Sequence, residues 1–251
     1  MRDMSSQACT VTGIVLSAAP AGDYDKLVVL LTRERGKIRA FARGARRMNS
    51  PLLAAVNVFA FGEFQIYEGR TAYSIAQASI RNYFSDLMTD FEASCYGQYF
   101  LEFADFYTGE NVEGTDYLKL LYQSLRALSV PALPRMLIRY IFELKALTVN
   151  GQAPQVFQCV ICGDKDRPAV FSAAKGGLVC SECGGNVIDG MVLDNSTLYS
   201  MQYIESSTIE KLYTFNVTEK VLNELGRVME RLMEVYVDKH FKSLEILETL
   251  V

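Results

Sequence analysis

Four cysteines constrain this chain more than any other feature of it. Cys159 and Cys162 flank two residues, a 17-residue interval follows, and Cys180 and Cys183 repeat the spacing. This is the pattern of a tetrahedral zinc site: two thiolates on one tight turn reach adjacent corners of the same ion. The glycines after each pair (Gly163, Gly184, Gly185) let the turn fold beneath the metal. The quartet predicts a zinc ribbon over residues 156–191 around one structural Zn2+ ion. Four thiolates close the shell and leave no position for a reacting water. An iron–sulfur cluster or a redox dithiol would use the same residues, but no cofactor motif elsewhere supports either.

Six cysteines among 251 residues, four of them in this spacing, fit a metal site in a reducing compartment rather than a secreted disulfide framework. Cys9 and Cys95 have no histidine near them in sequence and read as small apolar side chains. The opening MRDMSSQACTVTG has no basic segment followed by a long apolar region, and runs such as LVVLL (27–31) are too short to span a bilayer. A soluble cytoplasmic protein is expected. Half of its residues are hydrophobic, enough to bury a core.

Hydrophobic periodicity divides the rest. TVTGIVL (10–16), KLVVLLT (26–32), KIRAFAR (37–43), FGEFQIYEG (61–69) and AYSIAQASI (72–80) are short apolar runs separated by the turn signals AAPAGD, RERG, RMNSP and EGRT. Five successive strands without intervening helices suggest a small antiparallel barrel over residues 1–83, with the OB type the leading candidate. From about Asp86 the period becomes helical: Tyr96, Tyr99, Phe100, Phe103, Phe106 and Tyr107 share a face, and Leu118, Leu121, Leu125 and Leu128 continue the pattern. The aromatic stripe reads as core, with a groove for a partner peptide as the alternative. A third helix is expected from Pro134 to Gly151 with Leu137, Tyr140, Ile141, Leu144 and Leu147 buried. Helices resume near Asp194, and Asn216 with Glu219 forms a plausible capping pair for the long one carrying Leu222, Leu225, Met229, Leu232 and Tyr236. The expected class is α+β: an N-terminal OB-type barrel (1–83), a helical domain in two parts (84–155 and 192–251), and the ribbon inserted between them.

Charge is unevenly placed. Arg33, Arg35, Lys37, Arg39, Arg43, Arg46 and Arg47 stand against Glu34 alone, a local +6 in a chain whose formal net charge is -4. Such a concentration marks an anionic partner at one place. Strand alternation puts Lys37, Arg39, Phe41 and Arg43 on one face, and Ile38, Ala40 and Ala42 on the other. Cations that meet phosphates, with an aromatic that stacks on an unpaired base, are what single-strand binding surfaces use. A merely solvated strand face with Phe41 partly covered is the plainer alternative. Asp23 and Asp25 suit a turn rather than an acid pair.

The run GIVL followed by DYDKLVVLLTRERGKIRAFARGARR resembles the N-terminal signature of the bacterial recombination mediator RecO family. The helical region, the cysteine quartet and a final segment near HFKSLEIL follow in the expected order. The resemblance implies an OB domain, a helical domain and, in many members, a zinc ribbon. It also implies DNA repair and recombination through binding of single- and double-stranded DNA, annealing of complementary strands, and help to RecA in replacing single-strand binding protein. The implied partners are DNA, RecR and the tail of single-strand binding protein, with RecA engaged indirectly and association with the nucleoid during repair. DNA contact is carried to Arg33, Arg35, Lys37, Arg39, Arg43, Arg46 and Arg47, and metal ligation to Cys159, Cys162, Cys180 and Cys183. No signature of catalysis is present, and the one histidine, His240, reads as an exposed or capping residue near a helix end. An adaptor with incidental nucleic-acid binding is the alternative function.

Overall fold

The computed structural model describes residues 8–249. They fall into two compact units: the first holds the chain up to Ser129 and resumes at Phe241, and the second runs from Val130 to His240.

In the first unit, β1 (Ala8–Ala21), β2 (Asp25–Thr32), β3 (Gly36–Ala42), β4 (Phe61–Tyr67) and β5 (Tyr73–Asn82) hydrogen-bond in the closed order β1-β2-β3-β5-β4. Neighbours are antiparallel except β3 and β5, which run parallel through Ala40–Ala42 and Tyr73–Ile75. β1 closes the ring. Its residues Ala8–Ile14 pair with β4 and Gly13–Ala21 with β2, and a register shift between Val15 and Ser17 bends it from one partner to the other. All five expected strands occur, but AAPA belongs to β1 rather than to a turn. Pairing to β4 has ended by Pro20, and a free strand edge is where proline is tolerated.

Alternation fills the interior. Ile38, Ala40 and Ala42 of β3 and Phe64 and Ile66 of β4 face inward, where they join Val11, Val15, Val28, Leu30 and Ile75. Leu52 of the short α1 (Leu52–Ala55) and the adjoining Val56 complete this core.

α2 (Ser85–Thr89), α3 (Phe91–Tyr107) and α4 (Thr115–Leu128) follow. Asp90 caps α3, its carboxylate accepting from the Ala93 N–H at 3.0 Å. Of the aromatic stripe, Tyr96, Tyr99, Phe100 and Phe103 are buried, while Phe106 near the helix end is exposed. The stripe is covered by the chain itself: the Phe241 ring lies 5.3 Å from Tyr99 and 5.4 Å from Phe103 between centroids. The expected leucines of α4 are all buried.

The second unit contains α5 (Arg135–Val149), the hairpin β6 (Pro168–Ser172) and β7 (Gly177–Cys180), α6 (Asn195–Ser206) and α7 (Glu219–Tyr236). The expected stripe of α5 is buried. Lys145, from α5, donates through Nζ to the carbonyls of Ile204, Glu205 and Ser207 and so satisfies the end of α6. The cap of α7 is Thr218, whose hydroxyl accepts from the Val221 N–H, and not Asn216. Asn216 instead accepts from Val217 N–H and donates to the Ala132 carbonyl. Its buried stripe is Val221, Leu225, Val228, Met229 and Leu232, with Leu222 and Tyr236 half-buried. His240 lies beyond the helix in an extended link, exposed. The chain then returns to the first unit through α8 (Lys242–Glu248), where the Ser243 hydroxyl donates to Glu102.

Candidate nucleic-acid interface and metal centre

β3 presents the expected two faces. Arg39, Phe41 and Arg43 point outward and are exposed, Phe41 by 37%, while Lys37 is half-buried. Across the ladder Phe41 faces Leu27 and Arg39 faces Val29, so the aromatic ring sits on a strip of partly covered aliphatic side chains. The seven cations are not equivalent. Arg33 pairs with Glu34 at 2.8 Å, and Glu34 also accepts from the Thr12 N–H. Arg35 donates to the Tyr73 hydroxyl at 3.1 Å and lies 3.5 Å from Glu68. That hydroxyl, more than any charge nearby, raises the pKa of Arg35. Lys37 reaches Asp105 of α3 at 3.2 Å. Among the described residues Arg39, Arg43, Arg46 and Arg47 make no ion pair with an acid. The local +6 of the sequence is therefore partly neutralised along one end of β3 and left uncompensated at the other.

The uncompensated end is anchored by two loops. Gly44 N–H donates to the Asp25 carboxylate at 2.7 Å, Arg46 N–H to the Tyr24 carbonyl at 2.9 Å, and the Arg46 guanidinium to the carbonyls of Gly22 and Asp23 at 3.0 and 3.2 Å. The guanidinium of Arg47 lies 4.9 Å from the centroid of the Tyr24 ring. Asp25 thus shapes the junction. At the other end, residues 109–114 lie along the β2–β3 turn: Lys37 N–H donates to Gly109, Asn111 N–H to Arg35 and Gly114 N–H to Arg33.

The second constellation is the cysteine quartet. The sulfurs of Cys159, Cys162, Cys180 and Cys183 lie within 4.8 Å of one another, and Cys162 and Cys180 are 3.6 Å apart. A tetrahedron with metal–sulfur bonds of about 2.3 Å has edges of roughly 3.8 Å, so the donor set fits a zinc ion. The backbone builds the first knuckle: Cys159 N–H donates to Asp164, and Gly163 N–H to Cys159, with Gly163 in the left-handed region at φ +78°. The second knuckle needs no such freedom. Gly184 lies in a short 3-10 turn and Gly185 has an ordinary backbone, contrary to the role the sequence suggested. Cys159 and Cys180 pack with Val179 in a small core edged by Val160, Val170 and Val187. Burial opposes ionisation of Cys159, but backbone N–H groups from Cys162, Cys180 and Ile161 outweigh it and bring the thiol down to about 6. Hydrogen bonding to the sulfurs of Cys180 and Cys162 pushes Cys183 up to about 12. Cys95 is buried and Cys9 half-buried, and neither belongs to the quartet.

Two family models together cover almost the whole chain: Recombination protein O N terminal matches residues 4–84 and Recombination protein O C terminal matches residues 88–245. The chain belongs to the RecO family. Among curated relatives, the DNA repair protein RecO of Acetivibrio thermocellus is 30% identical over 240 residues, covering 95% of this chain and 96% of the relative. That of Symbiobacterium thermophilum is 31% identical over 245 residues, with 96% of each chain covered. That of Alkaliphilus metalliredigens is 30% identical over 236 residues, with 93% of this chain and 96% of the relative covered. RecO is a family of DNA repair and recombination proteins, and the boundary between its two models falls just after β5. Among the described residues of this RecO chain, no helix is long and apolar enough to cross a membrane. Two parts of this candidate site escaped sequence reasoning. The 109–114 segment meets the β2–β3 turn through backbone groups, which carry no residue signature, and Tyr24 had only its place in a turn to recommend it.

Proposed function

We propose that the chain is a recombination mediator that binds single- and double-stranded DNA through the outer face of β3 and the loops at its open end. The closed order of the five strands supports an OB-type assignment, a fold whose strand face and loops bind oligonucleotides. The observation that carries the reading is the set of cations left without acidic partners, Arg39, Arg43, Arg46 and Arg47, around the exposed Phe41. In this reading Arg33, Arg35 and Lys37 contribute less, because each already has a carboxylate. Neutralising phosphates lowers the repulsion between complementary strands, and base pairing supplies the energy of annealing, so no catalytic group is required. Loading of RecA onto strands covered by single-strand binding protein, in concert with RecR and the tail of that protein, is the cellular role the membership suggests. Cys159, Cys162, Cys180 and Cys183 would hold one structural zinc ion within a ribbon inserted in the helical region. Its setting would be the cytoplasm, at the nucleoid during repair.

Fluorescence-anisotropy titrations of a single-stranded oligonucleotide over a salt series test this. The wild-type protein should lose affinity steeply as salt rises, and the Arg39→Ala/Arg43→Ala variant should bind more weakly with a slope shallower by about 1.4. Wild-type binding that is absent, or indifferent to salt, would favour the adaptor function.

A further inference from the structure

We propose that Tyr24 is a stacking platform for an unpaired nucleobase, with Arg47 holding the opposite face of its ring. This rests on the barrel face being a DNA-binding surface and assigns to it a residue that selects single strands.

Tyr24 is the last residue of the three-residue turn between β1 and β2, and 55% of it is exposed. A large aromatic ring at a loop tip leaves apolar area in water, and the barrel core takes none of it. Yet the turn is held firmly. The Tyr24 carbonyl receives the Arg46 N–H, the two carbonyls before it receive the Arg46 guanidinium, and the Asp25 carboxylate receives the Gly44 N–H. A ring on a backbone fixed in this way loses little freedom when it stacks. Arg47 lies against the ring at 4.9 Å from its centroid, a cation held beside the platform where a neighbouring phosphate of the strand can pass.

Tyr24 also lies at the cationic end of β3. Phe41 faces Leu27 across the ladder, and Tyr24 lies only three residues before Leu27, at most about 10 Å along the chain. Arg43, Arg46 and Arg47 belong to the same end of the sheet. Two exposed rings alternating with cations suit an extended strand that offers bases and phosphates in turn. A duplex keeps its bases stacked inside and presents mainly phosphate, so it gains nothing from Tyr24.

The test compares wild type, Tyr24→Ala, Tyr24→Phe, Arg47→Ala and Arg39→Ala/Arg43→Ala by anisotropy on a mixed-sequence single strand and on its duplex, over a salt series. Tyr24→Ala should weaken single-strand binding about tenfold with the salt slope unchanged and the duplex affinity intact, and Tyr24→Phe should behave as wild type. Arg47→Ala should weaken both and flatten the slope. If Tyr24→Ala leaves single-strand affinity unchanged while Arg39→Ala/Arg43→Ala weakens it, the stacking role fails and the DNA-binding face stands. If Tyr24→Ala lowers both affinities alike with a flatter slope, Tyr24 only positions Arg47 and the stacking role is again overturned. A wild-type protein that binds neither oligonucleotide removes both assignments.

Discussion

Gly36 shows how much one position can carry. It turns β2 into β3 at φ +61°, and a Cβ there would lie 2.2 Å from the Val112 carbonyl oxygen and 2.6 Å from that of Gly109. Both atoms are backbone and cannot rotate away. Gly36→Ala should cost more than about 2 kcal/mol in denaturant unfolding, a loss that unchanged stability would contradict. The sequence marks Gly36 as a turn glycine through RERG, but the contact with residues 109–114 arises from folding and has no local signature. Glu205 is the second telling residue. One of its carboxylate oxygens is buried with no hydrogen-bond partner, and burial lifts its pKa from 4.5 to about 8 against the smaller pull of Lys145. The folded protein therefore keeps a proton that the unfolded chain loses, and stability should fall as pH rises between about 4.5 and 8. Glu205→Gln should flatten that fall. Parallel urea midpoints for both proteins from pH 5 to pH 8 would refute it.

At the scale of elements, β3 is the segment most fully legible from its residues. Its alternation follows from a period of two, and burial agrees at Ile38, Ala40 and Ala42. What the sequence could not supply is which cations meet acids. Lys37 finds Asp105, 68 residues away, and Arg35 finds Glu68, so the count of charges overstates what faces a ligand. The consequence is measurable: Arg33→Ala, which breaks an exposed pair with Glu34, should change DNA affinity less than Arg43→Ala. Equal losses would mean that position along β3, and not pairing, sets the contribution. The helix starts teach the same lesson on a smaller scale. Asn216 satisfies the capping pattern as well as Thr218 does, and only the wider fold, which sends its amide to Ala132, decides between them.

For the molecule as a whole, the cysteine quartet was the most legible long-range feature, because spacing alone specifies that four sulfurs must meet. The few aliphatic side chains around Cys159, Val179 and Cys180 form a core too small to hold that region by themselves. Cys159→Ser or Cys180→Ser should release near-stoichiometric zinc and lower the melting temperature, and strong chelation of the wild type should do likewise. A metal-free protein that melts identically would exclude a structural role for the ion. The aromatic stripe of α3 was legible as an apolar face but not in its covering, since nothing local in KHFKSLEIL announces that Phe241 completes it. That covering has a consequence for synthesis. The ribosome delivers the barrel, α3 and α4 before the intervening unit and the segment bearing Phe241 after it, so the part of the stripe that Phe241 covers stays open while that unit is made, on the order of ten seconds. During that interval the nascent chain exposes aromatic surface that the finished protein hides. Chaperone binding or proteolysis of chains halted before Phe241 would register it.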